Sequence, residues 1–220
     1  MSLSELSVSQ AGSELGWALA ALSVCPAALG GAWVRAHHSP ARDQCLAILK
    51  ALGNTGVRIP SHVDDERLLG GLDVSALAQG RPVWQAGLLA QAADGLAILP
   101  MAERLNIGLV ARIIQAQDRS LLSEEASFGL LALDESLEDE TGIVPSLAER
   151  LGLWLDLREL TLRDPIATEF DPDDVAYART HWSEVTLSEE QIQVLCQTAL
   201  VLGVDSLRAP LTAARLARIL

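Results

Sequence analysis

Short apolar runs alternate with stretches of helical spacing through the first three-quarters of the chain, and then the short runs stop. Residues 9–23 have helical apolar spacing behind a serine, with Pro26 past the end. Ala32 to Arg35 is a short buried-strand candidate, and Ala41 to Leu52 is a helix closed by Gly53. Gly56 to Ile59 predicts a second strand before Pro60, and Asp64 to Leu69 a turn or short helix before Gly70-Gly71. Ser75 to Gln79 and Gly87 to Ala92 predict short helices around the loop Gly80-Arg81-Pro82. Leu96 to Leu99 is a continuous apolar run of strand length, Asn106 to Gln117 an amphipathic helix, and Phe128 to Leu133 another buried strand. Asp134 to Thr141 is an acidic loop with five carboxylates, expected to be solvated or to face a basic partner. Pro145 to Leu151 predicts a helix and Leu153 to Leu157 the last strand. Strands alternating with helices predict an α/β fold with a mostly parallel sheet covered on both faces.

From about Asp164 the pattern is helical throughout. Asp171 to Trp182, Ser188 to Leu202 and Pro210 to Leu220 predict three helices, and Ser188-Glu-Glu-Gln191 has capping-box spacing. The division expected is an α/β domain over 1–160 and a small helical domain over 161–220. The chain stops at Leu220 inside an amphipathic helix, so a piece of a longer protein is expected. There are no internal repeats and no low-complexity segments.

Half of the 220 residues are apolar, enough for a sizeable core. A net charge of −13 argues against nucleic acid and anionic membrane surfaces as partners. No apolar run reaches the roughly 18 residues that span a bilayer, and Met1-Ser-Leu-Ser-Glu-Leu6 lacks a basic signal-peptide start. Cys25, Cys45 and Cys196 are odd in number and far apart, which fits reduced thiols in a cytoplasmic protein. No metal site is expected, since adjacent His37 and His38 fit a solvated loop better than a ligand pair.

The segment Gly31 to Asp43 runs from strand through loop into helix, where a phosphate-binding loop would carry Gly-x-x-x-x-Gly-Lys-Ser/Thr. The four defining positions hold Ala36, Ala41, Arg42 and Asp43. A Cβ at 36 and 41 hinders the turning of N–H groups toward a ligand, and Pro40 removes a donor. Asp43 replaces the hydroxyl that would hold magnesium and sets a carboxylate at the helix N-terminus. Arg42 keeps a positive charge, either for loose phosphate contact or for solvent near Asp43. Trp33, on the first strand, is expected in the core.

Leu68-Leu-Gly-Gly-Leu-Asp-Val74 and Gly87-Leu-Leu-Ala-Gln-Ala-Ala-Asp-Gly-Leu-Ala-Ile-Leu99 resemble the AAA+ subunits of magnesium chelatase. In the active ATPase subunit of that family the second segment runs into an Asp-Glu pair that holds magnesium and polarises water. Pro100 and Met101 stand there instead, with Glu103 beyond them in another register. Val144-Pro-Ser-Leu-Ala-Glu-Arg-Leu151 and Leu207-Arg-Ala-Pro-Leu-Thr-Ala-Ala-Arg215 extend the similarity through the chain. Loss of both nucleotide motifs within a similar frame is the pattern of the D subunit.

The resemblance implies an AAA+ P-loop-type sheet followed by a helical lid, with the acidic linker and integrin-I-like domain of that subunit lying outside this sequence. It implies a non-hydrolysing platform in the ligase that inserts magnesium into protoporphyrin IX for chlorophyll or bacteriochlorophyll, in cytoplasm or plastid stroma. The implied partners are the ATPase I subunit and the porphyrin-binding H subunit. ATP and magnesium are used by the complex, and this domain alone holds no cofactor. Arg150, after Glu149, matches an arginine finger that acts on a neighbour's ATP; its alternative is a surface arginine paired with Glu149 or the acidic loop. Arg208 matches a lid arginine that reaches the subunit's own ATP, and is here a relic, a solvated residue or a partner for Asp43. Two other functions stay open: a working ATPase with Glu103 as surrogate carboxylate, and an acidic helical adaptor unrelated to nucleotide.

Overall fold

A computed structural model describes residues 3–54, 56–72, 76, 78–122, 127–137, 140, 142–161, 164, 166 and 169–220. Helix α1 (Leu3–Val24) leads into strand β1 (Gly31–Arg35) and helix α2 (Pro40–Ala51). Strand β2 (Gly56–Arg58), helix α3 (Asp65–Leu69), strands β3 (Gly70–Leu72) and β4 (Trp84–Ala86), and helix α4 (Leu88–Gln91) follow. Then come β5 (Leu96–Leu99), α5 (Ile107–Leu122), β6 (Gly129–Asp134), α6 (Pro145–Ala148) and β7 (Leu153–Asp156). Helices α7 (Pro172–His181), α8 (Glu189–Val201) and α9 (Arg208–Ile219) end the chain.

Five strands form one sheet in the order β2-β5-β6-β1-β7, and every pair in it is parallel. The central strand β6 is buried along its whole length, which explains its unbroken apolar sequence. Its residues feed two layers by alternation. Leu130 and Ala132 pack with Leu109, Val110 and Ile113 of α5. Leu131 and Leu133 pack on the other face with Leu19 and Leu22 of α1, Cys45 and Leu49 of α2, and Ala32 and Val34 of β1. The α/β expectation holds, including the helices on both faces and, among the described residues, a C-terminal part without strands.

Three local expectations are corrected. The sequence pattern predicts no strand on either side of the loop Gly80-Arg81-Pro82, yet β3 and β4 pair antiparallel as a two-stranded ribbon, Gly70 opposite Ala86 and Leu72 opposite Trp84. The helix expected over 75–79 falls partly outside the described residues. Asp134 does not open a solvated loop, because it is the last residue of β6 and only 1% exposed. Of the other acidic-loop residues, 138, 139 and 141 lie outside the described residues. Trp33 is half-buried rather than sealed in the core. Its ring meets Trp154 edge-on with centroids 5.1 Å apart, and its indole N–H donates to Asp134 Oδ2 at 2.8 Å.

Capping boxes open two of the C-terminal helices, and only the one at Ser188 is expected from the sequence. Ser188 and Gln191 form a reciprocal capping box at α8, and Asp171 and Asp174 form another at α7. Helix α9 packs beside the chain leading into β1 and β7. Arg215 donates to the Ala28 carbonyl at 3.0 Å, and Thr212 covers Gly152 so closely that a Cβ there would lie 2.3 Å from its methyl carbon.

Candidate functional site

The C-terminal end of β1 is where a nucleotide cradle would form, and several of its donors are already used. The Ala36 N–H extends the strand pairing to the Asp134 carbonyl at 2.9 Å. Ser39 caps α2: its hydroxyl accepts from the Arg42 N–H at 3.3 Å and its carbonyl from the Asp43 N–H at 3.1 Å. Pro40, at the first helical position, offers no donor. Ala36 and Ala41 are buried, so their methyl groups fill space beneath the loop, whereas Asp43 is exposed. Each of these features works against a nucleotide phosphate and its magnesium.

Arg42 does not face solvent beside Asp43. Its guanidinium is ion-paired with Glu135, the first residue after β6, and its side chain is only 12% exposed. The Glu135 N–H donates to Glu103 Oε2 at 3.2 Å, while Glu103 Oε1 lies 3.3 Å from Arg104 Nε. Thus the carboxylate nearest in sequence to the missing Asp-Glu pair serves an internal network. Pro100 and Met101 turn the chain between β5 and that network, with Met101 in the left-handed region at φ 47. Asp134, next to Glu135, accepts from Trp33 and from the Ser136 N–H at 2.8 Å, and lies 3.8 Å from Arg35 Nε. The buried carboxylate is therefore satisfied by hydrogen bonds and a nearby cation.

Arg150 and Arg208 come together at the other end of β1. Arg150 Nη1 donates to the Ser146 carbonyl at 2.9 Å, and Nη2 to Asp118 Oδ2 at 2.8 Å. Arg208 Nη2 lies 3.7 Å from Asp118 Oδ1. Both arginines, with Gly30, Gln117 and Arg215, line a cavity of about 110 Å³. The partner of Arg150 is thus Asp118, neither Glu149 nor the acidic loop. Arg208 does not pair with Asp43, because β1 separates Gly30 from Ala36 by about 20 Å of extended chain, and α9 is docked at the Gly30 end. Sequence reasoning missed Gly30, Gln117, Asp118 and Glu135. Only Glu135 carried a signal, as an acidic residue just past a buried strand.

The parallel sheet in this order, with a helix after β1 and a helical C-terminal part, defines an AAA+ module. A putative ATPase from Cytophaga hutchinsonii has the same fold, with a TM-score of 0.61 over 92% of this chain and 73% of that one, at 14% identity. No protein-family profile matches the chain. In sequence it is 39% identical over 209 residues to the magnesium-chelatase 60 kDa subunit of Rhodobacter capsulatus, covering 92% of this chain. The 60 kDa subunit of Cereibacter sphaeroides is 38% identical over 202 residues. The chain spans about a third of the length of either relative, 35% in both cases. Over that stretch the chain is similar to the magnesium-chelatase 60 kDa subunits, on an AAA+-type fold. An uncharacterised protein of Mycobacterium tuberculosis, Rv2850c, is also similar, at 27% identity over 86% of this chain.

Proposed function

We propose that the chain is a non-hydrolysing AAA+ platform of magnesium chelatase, which assembles with active ATPase subunits and supports ATP-dependent insertion of magnesium into protoporphyrin IX. The observation that carries this reading is the Arg42–Glu135 ion pair. The cation at the lysine position of a phosphate loop is neutralised by the chain's own carboxylate. Ala36 donates to Asp134, Pro40 has no N–H, and the Arg42 and Asp43 N–H groups are taken by Ser39, which weakens charge and cradle alike for a triphosphate.

The working role then lies at the other end of the sheet. Arg150 acts on ATP bound by a neighbouring subunit, where an arginine stabilises charge on the transferring phosphoryl group. Arg208 lies beside it and belongs to the same edge. The porphyrin-binding subunit completes the complex, in the cytoplasm of a bacterium. Among the described residues no helix is long and apolar enough to cross a membrane.

The alternative of a working ATPase needs Glu103 to activate water, and the hydrogen bond from Glu135 supports a structural task instead. One experiment separates the two. Phosphate release is measured with the full-length protein alone, and the same protein is then used to capture the active ATPase subunit with and without ATP. No turnover together with capture fits the platform. Turnover at the rate of an ordinary AAA+ ATPase, or no capture under either condition, contradicts it.

A further inference from the structure

The position of Arg150 is set by residues far from it in sequence. Gly30, at φ +71, passes so close to the Arg150 carbonyl that a Cβ would lie 2.0 Å from that oxygen. The Gly30 carbonyl in turn accepts from Gln117 Nε2 at 2.7 Å, and Gln117 is 2% exposed. The next residue of α5, Asp118, holds the Arg150 guanidinium at 2.8 Å. The Arg150 side chain is therefore held by Asp118, and its backbone lies against Gly30, which Gln117, the preceding residue of α5, holds in place. The side chain is 16% exposed, unusually low for an arginine at a subunit's edge.

We propose that Asp118 is the positioning residue for Arg150. It holds the guanidinium in the geometry that meets a neighbour's γ-phosphate and, through Arg208, ties that geometry to α9. The proposal rests on the reading of Arg150 as a finger acting in trans. An arginine free to sample many rotamers must be ordered at the moment of reaction, whereas one already held contributes its charge without reorganisation. The contacts to Ser146 and Asp118 take one N–H from each terminal nitrogen, and each of those nitrogens carries a second N–H for phosphate. The Asp118 side chain is 37% exposed and that of Arg150 16%, values close to those of the Arg42–Glu135 pair, so the denaturation midpoint of each variant is read beside its kinetics to separate a loss of folding from a loss of positioning.

A double-mutant cycle in the full-length protein, assembled with the active ATPase subunit, tests this. The four proteins are wild type, Asp118→Asn, Arg150→Ala and the combination, with kcat and KM for ATP read from phosphate release. Asp118→Asn should lower kcat about fivefold or more with KM changed less than about twofold. It should add nothing in the Arg150→Ala background, because the two residues act as one unit. Asp118→Glu should recover part of the loss. An unchanged kcat in Asp118→Asn, alongside a lowered kcat in Arg150→Ala, overturns the positioning role and leaves the finger standing. The same loss in both backgrounds overturns it too, since Asp118 then acts on the fold. A silent Arg150→Ala removes the finger and the positioning role together.

Discussion

Arg42 and Glu135 are ion-paired across the ends of β1 and β6, where an active relative of this fold would hold a triphosphate. The pair links the first turn of α2 to the end of the central strand, so it serves the fold as well as blocking the site. Glu135→Gln leaves the Arg42 charge, which is largely shielded from water, without its counter-charge. The expected loss of stability is about 1–2 kcal/mol, read as a lowered denaturation midpoint. The same change frees a cation at the old phosphate position. Titration with a fluorescent ATP analogue should then show saturable binding near about 1 mM or tighter, and the wild-type chain should show none in that range. Equal stability and equal binding in the two proteins would contradict the account of this pair.

Gly30 is the backbone counterpart on the opposite edge. Gly30→Ala places a Cβ against the Arg150 carbonyl in a left-handed backbone. The cost should be roughly 3 kcal/mol, combining the unfavourable φ with the clash. Thermal denaturation checks it; a shift of less than a degree would mean that the approach of β1 to Arg150 is looser than described.

The strands of the main sheet were legible because a parallel sheet covered on both faces demands unbroken apolar runs, and Leu96 to Leu99 appears as just such a run. The β3–β4 ribbon was not legible. Gly70-Gly71 reads as a turn, and Trp84, Gln85 and Ala86 are exposed without alternation, so only their pairing makes them strands. Asp134 reads as loop because its charge is visible in the sequence and its partners are not. Trp33 and Ser136 reach it only in the folded chain. At the site, the departures from a phosphate-loop pattern at Ala36, Ala41, Arg42 and Asp43, and from the Asp-Glu pair at Pro100 and Met101, are visible in the sequence. The partner of Arg42 is not, since Glu135 is 93 residues from Arg42. Arg150 and Arg208 were singled out separately. That both face Asp118 depends on how α9 docks, which no local pattern records.

The cysteines give a chemical check on the packing of α2. Cys45 lies in the layer between α1, α2 and the sheet, and burial pushes its thiol up to about 12. Burial also raises Cys25, which is half-buried, whereas Cys196 is exposed. A thiol reagent near pH 8 should label Cys196 first, Cys25 slowly and Cys45 only on unfolding. The sign of the pH effect follows from the raised value. Below pH 9 both folded and unfolded thiols at Cys45 keep their proton and stability is unaffected. Between 9.0 and about 12 the unfolded chain loses that proton while the folded chain keeps it, so stability falls. The slope is about 1.4 kcal/mol per pH unit for one group. Cys45→Ser, followed by chemical denaturation from pH 8 to 10, should flatten that slope; an unchanged slope would mean that Cys45 is not its source.

The central claim is that nucleotide chemistry has left the Arg42 end of β1 and that this subunit contributes at the Arg150 end. Phosphate release by the complex of full-length protein and active ATPase subunit tests it most directly, with Arg42→Ala and Arg150→Ala compared against wild type. Arg42→Ala should leave turnover within about twofold, because its site supplies no reacting group. Arg150→Ala should lower turnover severalfold or more, since the ATP sites it serves lose a contribution worth about a thousandfold. The reverse pattern, turnover abolished by Arg42→Ala and untouched by Arg150→Ala in a normally assembled complex, would contradict the account.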